Sequence, residues 1–161
     1  MSQAKSYLHL SVPFFVGFRR NNPGNLAKSS RNFPGIVAKP DTGRGNKFFA
    51  FASVAHGFRA LIEVLMVRIS TPRTNTIRKL GPVYAPPHEN DTAAWVKTVA
   101  KYAGMNPDTP LTVDKQVIKR LALAIIKKET GLKQKHGNTV ATFSEEDFED
   151  GWALLQAPPL A

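Results

Sequence analysis

Apolar residues recur at helical spacing from Ser53 onward: Val54, Phe58, Leu61, Ile62, Leu65 and Ile69 fall on one face, and Val64, Met66 and Val67 make the other side apolar too. This predicts a central buried helix, capped by Ser53 and ended by Thr71-Pro72. A short helical turn is expected over Asn75–Leu80, before Gly81-Pro82. Asn90 or Asp91 then caps a helix that turns Trp95, Val99 and Tyr102 inward and stops at Gly104. A long amphipathic helix spans Asp114 to Glu129 with Val117, Ile118, Leu121, Ala122 and Ile125 on its core face, and Gly131 just past its end. The last helix starts at Ser144, where Ser-Glu-Glu-Asp resembles a capping box and sets acids at the positive end of the dipole; Phe148, Trp152 and Leu155 dock it. Residues 19–52 read differently. They are rich in Asn, Gly and Pro, with a period nearer two than 3.6 around Phe33 and Phe48–Phe51, so short strands or a hairpin are expected there. The pattern is therefore mainly α, with a small irregular or β element near the N-terminus.

The length of 161 residues suits a single domain, 1–161, with residues 1–16 as a tail or linker. Tyr7–Phe18 is apolar but broken by Pro13, and it lacks a small-residue cleavage site, so it does not read as a signal peptide. No apolar run reaches the roughly 18 residues of a membrane span. With 42% hydrophobic and 21% charged residues the chain can build a core, and with no cysteine it has neither disulfides nor thiolate chemistry. Charge adds more. The formal net charge is +10, but residues 131–161 hold two lysines against five acids, and no acid precedes Asp41. A body this basic collects on a polyanion: nucleic acid, acidic membrane or a carboxylate-rich cell wall.

Several chemistries lack their residues. His9, His56, His88 and His136 stand far apart, with no H-E-x-x-H or H-x-H, so no metal is expected. There is no G-x-S-x-G nucleophile elbow and no phosphate-cradling G-x-x-x-x-G-K-[ST]. No helix-turn-helix cue or Lys/Arg stripe with interleaved aromatics supports specific nucleic-acid binding. Carboxylate chemistry remains, with Glu63, Glu89 and Asp91 as the interior acids.

Two spaced motifs carry a resemblance. Arg19-Arg20-Asn21-Asn22-Pro23-Gly24-Asn25-Leu26, Phe33-Pro34-Gly35 and Phe49-Ala50-Phe51 with Ser53, Gly57, Phe58, Arg59 and Ala60 are followed by Asn75-Thr76-Ile77, Ala85-Pro86-Pro87-x-Glu89-Asn90-Asp91-Thr92 and Gly104–Leu111. Over residues 17–111 this order resembles the phage and plasmid virion-associated family marked by R-N-N-N-P-G-N and A-P-P-x-E-N-D-T, which is related to lysozyme-like cell-wall enzymes. The whole chain is similar to the muralytic enzymes of enveloped double-stranded-RNA phages (cystoviruses). The resemblance implies a lysozyme-like fold and a virion component that opens host peptidoglycan at entry and again at lysis. It also implies other virion proteins as partners and the host periplasm as the place of action, with no membrane insertion, no cofactor and a monomeric state. Two bonds stay open as targets. A lysozyme-like cleft uses one protonated carboxyl to cleave the glycan strand, as lytic transglycosylases do with the sugar's own 6-hydroxyl as nucleophile. The double-stranded-RNA phage enzymes are instead classed as endopeptidases that cut between diaminopimelate and D-alanine. A non-catalytic wall-binding module is the third reading.

Glu89 is the first candidate for the general acid. It matches the A-P-P-x-E-N-D-T motif and stands between a rigid loop and a helix start, where Tyr84, Pro86 and Pro87 must exclude water to keep it protonated. Read blandly, it only caps that helix. Glu63 is the second candidate, on a helix otherwise expected to be buried, with an exposed ion-pairing role as its bland reading. In the family the acid stands on a helix before the asparagine-rich motif, and this chain has no acid there. Asn21, Asn22, Asn25 and Asn90 offer amide donors and acceptors to a sugar's N-acetyl and hydroxyl groups, or serve as turn residues. Phe48, Phe49 and Tyr84 stack on sugar rings or belong to the core, and Arg19 and Arg20 meet stem-peptide carboxylates or are solvated charge. On this reading Glu89→Gln abolishes lysis of outer-membrane-stripped cells and leaves thermal stability nearly unchanged.

Overall fold

The computed structural model describes residues 4–41 and 43–156, which form two compact units: residues up to Ile62 together with those from Glu129 onward, and Glu63–Lys128. Mostly helical, the described chain carries six α-helices and two small antiparallel sheets.

In the first unit a four-residue helix α1 (Val16–Arg19) leads into the asparagine-rich turn. Strands β1 (Ile36–Val37) and β2 (Ala50–Phe51) pair antiparallel, Ile36 opposite Phe51 and Val37 opposite Ala50, which is the β element expected near the N-terminus. Helix α2 (Val54–Ile69) follows, and the division between the units falls within it. Its start is fixed by Ser53, whose Oγ accepts from the His56 amide at 3.1 Å. Val54, Phe58, Leu61, Ile62 and Leu65 are fully buried, as the periodicity predicts, whereas Val67 is exposed, so the second apolar face is not wholly covered. Helix α6 (Glu145–Gln156) has a reciprocal cap, with the Ser144 amide donating to Asp147 Oδ2 at 2.8 Å and the Asp147 amide donating to Ser144 Oγ at 3.3 Å. Phe148 is its fully buried anchor and stacks on Trp152. The core is aromatic. Phe18 stacks on Phe143 at 4.4 Å, Phe58 meets Phe143 edge-on, and Phe33, Phe49 and Phe51 form a second cluster.

A hairpin of β3 (Lys133–His136) and β4 (Thr139–Thr142), which the pattern did not predict, belongs to the same unit. Its strands are polar and mostly exposed, so they lack the alternation that marks a half-buried strand; only Ala141 is fully buried. Of residues 1–16, expected as a tail or linker, residues 1–3 lie outside the described residues, and the rest is tied down at Lys5 and Tyr7. The Tyr7 hydroxyl donates to the Thr142 carbonyl and accepts from the Thr142 amide, and Lys5 pairs with Asp147 at 2.8 Å.

In the second unit, α3 (Ile77–Tyr84) is capped by Thr76, whose side chain accepts from the Lys79 amide. It runs past the expected stop at Gly81-Pro82, with Pro82 inside it, and closes two residues later at Tyr84. Helix α4 (Thr92–Ala103) is capped by Asp91 rather than Asn90, through Oδ1 and the Ala94 amide at 2.9 Å. Trp95 and Val99 are buried, but Tyr102, expected inward, is 43% exposed and lies under the Lys127 ammonium at 4.2 Å. Helix α5 (Lys115–Glu129) starts on Asp114, which accepts from the amides of Gln116 and Val117. Its residues Ile118, Leu121, Ala122 and Ile125 are buried as expected.

One close approach defines the packing of α2 in the first unit. A Cβ at Gly57 would lie 1.9 Å from the Asn21 carbonyl oxygen and 2.8 Å from Pro23 Cδ, so only glycine admits the turn there. Gly57→Ala is expected to destabilise the fold by about 3 kcal/mol and to lower Tm by roughly 6–12 °C, read by thermal denaturation.

Candidate functional site

The asparagine-rich turn is the structural centre of the first unit, and two of its asparagines face inward. Asn21 and Asn22 are both 0% exposed. Asn21 Nδ2 donates to Ser6 Oγ and to the Phe51 carbonyl, each at 2.9 Å, and its Oδ1 accepts from the Tyr7 amide at 2.8 Å. Asn22 Nδ2 donates to the carbonyls of Leu26 and Phe49 at 3.0 Å, and its Oδ1 accepts from the Leu26 amide at 2.8 Å. Three of the four hydrogen bonds that a carboxamide makes are thus taken at each residue. The sugar-binding expectation for Asn21 and Asn22 is corrected: their amides cross-link backbone. Phe49 is corrected likewise, being buried against Phe33 and Phe51.

Arg19 and Arg20 are neither solvated nor available to carboxylates of a ligand. Arg19 donates to the Phe14 carbonyl at 2.7 Å and pairs with Asp41 at 3.2 Å; Arg20 donates to the carbonyls of Lys39 and Phe48. The Lys39 ammonium donates to the carbonyls of Leu8, Leu10 and Arg19. Burial, with neighbouring cations, holds Arg20 and Lys39 below their ordinary pKa values. Burial pushes the Asp41 carboxyl up, but the hydrogen bond and charge of Arg19 and the amides of Gly45 and Gly43 outweigh it and leave it below the usual carboxylate range.

Asn25 has a different setting. It takes φ +49°, and its Oδ1 is buried without a protein donor. It lines a groove of about 240 Å³ together with Phe15, Val16, Gly17, Arg44, Phe48, Glu129 and Thr130, all in the first unit. The groove follows from local folding. Thr130 Oγ1 donates to the Pro23 carbonyl at 3.4 Å, which ties Thr130 to the asparagine turn. Gly17 leaves room for this, since a Cβ there would meet Thr130 Oγ1 at 2.7 Å. Phe48 is held by an isolated bridge to Ala27, and Arg44 opens the 3-10 turn Arg44–Lys47. Glu129, half-buried, closes the last turn of α5, where the helix carbonyls concentrate partial negative charge. One carboxyl, one cation, a carboxamide and two aromatic side chains thus face a space of single-ring size, below the roughly 300–1,000 Å³ of drug-sized pockets.

The remaining sequence candidates lie in the second unit. Glu89 stands in a turn with its side chain 66% exposed, 3.5 Å from His88 Nε2. Pro87 is exposed, and Tyr84 stacks flat on Trp95 at 5.1 Å with the Arg68 guanidinium 5.4 Å from its ring centre. The water-excluding wall that a proton-holding Glu89 requires is absent around it, and Tyr84 already has a ring partner. Asn90 is exposed, its backbone amide donating to the Pro86 carbonyl. Glu63 is half-buried on α2. Glu129, which lines the groove, is not among the sequence candidates, because the last residue of an amphipathic helix reads as ordinary solvent-side charge.

A second hollow of about 320 Å³ is lined by Lys5, Ser53, His56, Asp147 and Asp150. Its buried acid, Asp147, is held by Lys5 and the α6 cap, and Ser53 Oγ lies 2.8 Å from His56 Nδ1. Burial, with the nearby Arg59 charge, holds His56 below the ordinary histidine range. Among the described residues no helix is long and apolar enough to cross a membrane, and no three His, Asp or Glu side chains gather as metal ligands. Comparison with known proteins returns no matching family model and no matching curated sequence.

Two outcomes follow for stability. Asn22→Ala strands the buried Phe49 carbonyl and the Leu26 amide and is expected to cost about 2–4 kcal/mol, whereas Asn25→Gly, which suits φ +49° and removes the orphaned acceptor, is expected within about 1 kcal/mol of wild type; urea unfolding separates them. Because His56 is depressed, it binds its proton less readily folded than unfolded. Its contribution is fully present above the ordinary histidine value of about 6.5 and is lost as pH falls through the lower folded value. Tm is therefore expected to fall more steeply on acidification from about pH 7 to about pH 5 in wild type than in His56→Gln.

Proposed function

We propose that the chain is a phage peptidoglycan-degrading lysin of lysozyme-like fold, resembling the lysin of the enveloped double-stranded-RNA phage phi-six, and that it cleaves the glycan strand with acid assistance. In this reading it is a virion component acting on the host wall in the periplasm, at entry and at lysis. The observation that carries the proposal is the groove beside the asparagine turn. The motif that bears the family resemblance builds that groove and presents Asn25 to it, with Phe15 and Phe48 as apolar walls for a sugar ring and Arg44 as a cation for stem-peptide carboxylates. The net charge of +10 supports collection on an anionic wall.

Cleavage of the diaminopimelate–D-Ala bridge is the second reading, and Ser53 with His56 is the observation that favours it. The Ser53 hydroxyl lies 2.8 Å from His56 Nδ1, and in the tautomer that carries its proton on Nε2 the hydroxyl donates to Nδ1, a pairing that activates serine nucleophiles. Ser53 is, however, only 4% exposed and already caps α2, which places this reading behind the first.

Purified peptidoglycan incubated with the protein is expected to lose turbidity and to release muropeptides whose glycan ends are 1,6-anhydro or reducing muramic acid by mass spectrometry. Intact glycan strands with severed cross-bridges would establish the peptidase reading. Bound but undegraded wall would establish a non-catalytic binder.

A further inference from the structure

Resting on the glycan-cleaving reading, we propose that Glu129 is the proton donor of this protein and that Asn25 is the acceptor that fixes the sugar against it. Three observations converge on one groove. Among the described residues Glu129 is the only one lining it that bears a carboxylate, and it is half-buried at the end of α5. Asn25 holds an acceptor oxygen buried without a protein donor, on backbone in the left-handed region. An orphaned buried acceptor costs about 1–3 kcal/mol, and such costs gather at sites where a ligand supplies the missing partner. The third observation is how differently the neighbouring Asn21 and Asn22 are used, with every contact to backbone or to Ser6, so the fold needs those two amides and leaves Asn25 to another task. The ligand this chemistry fits is an N-acetylated pyranose. Its N–H or hydroxyl donates toward Asn25, its apolar ring face meets Phe15 or Phe48, and an attached peptide carboxylate meets Arg44.

The step balances on these groups alone. The Glu129 carboxyl gives its proton to the bridging glycosidic oxygen, and the C1–O bond breaks with its electron pair leaving on that oxygen. The cationic C1 is captured by the 6-hydroxyl of the same sugar, or by water, and the proton shed by that nucleophile returns to the Glu129 carboxylate.

The test compares Glu129→Gln with wild type on purified peptidoglycan. Gln keeps the side-chain shape and removes the acid, so lysis is expected to fall at least about 100-fold while sedimentation with intact wall is unchanged. A lysing wild type with Glu129→Gln within about threefold of it overturns the assignment and leaves the glycan-cleaving reading standing. A wild type that severs no glycan bond overturns that reading itself. Wild-type protein titrated with chitotetraose and followed by NMR answers independently of whether the variant folds. Shifts centred on Asn25, Phe48 and Thr130 are expected; shifts centred elsewhere, or none, overturn the placement of the sugar.

Discussion

The carboxamides of Asn21 and Asn22 are the interactions on which the first unit depends. Each sits without solvent contact, and between them they satisfy backbone groups of residues 7, 26, 49 and 51, which come from separate loops and a strand. A short sheet of two-residue strands supplies few ladder bonds of its own, so these side chains do the cross-linking that a longer sheet does with backbone. The turn also fixes the start of α2, because the Asn21 carbonyl lies close against Gly57, and it holds Thr130, whose hydroxyl donates to the Pro23 carbonyl. The groove is a by-product of that geometry, and Asn25, whose side-chain oxygen the turn leaves without a donor, is among the residues that line it.

Charge is organised in the same way. The basic excess suggests a surface made to meet an anionic polymer, yet Arg19, Arg20 and Lys39 are tied to backbone carbonyls and Asp41. Buried cations persist there because carbonyl oxygens replace the water they lose, and burial shows in the lowered values of Arg20 and Lys39. The proposed attraction to an anionic wall therefore rests on the other basic residues, among them Arg44 at the groove and the exposed lysines of α5.

The helices were legible in the sequence because each combines a 3.6-residue apolar stripe with a recognisable stop or cap: Ser53, Asp91, Asp114 and Ser144 all act as their side-chain chemistry predicts. The β3–β4 hairpin was not, since Lys-Gln-Lys-His and Thr-Val-Ala-Thr carry little apolar alternation; the Gly137-Asn138 pair between them was the one available signal, a two-residue turn with Gly137 at φ +59°. Tyr102, read from its spacing as a core residue, is 43% exposed with the Lys127 ammonium over its ring, an arrangement that spacing does not reveal. The site was half legible. Asn25 belongs to a motif visible in the chain, but whether an asparagine braces the fold or meets a ligand is decided by which backbone groups lie within reach, and spacing does not carry that. Glu89 drew attention through its motif and proved exposed, while Glu129 has no motif and is marked only by where α5 ends.

A crystal structure of Glu129→Gln with a peptidoglycan tetrasaccharide tests the central claim most directly. The account predicts a sugar ring in the groove, an N–H or hydroxyl within hydrogen-bond distance of Asn25 Oδ1, and the glycosidic oxygen beside residue 129. A saccharide seated instead on the turn around Glu89 and Asn90, or Asn21 and Asn22 swung out to hold it, would contradict it.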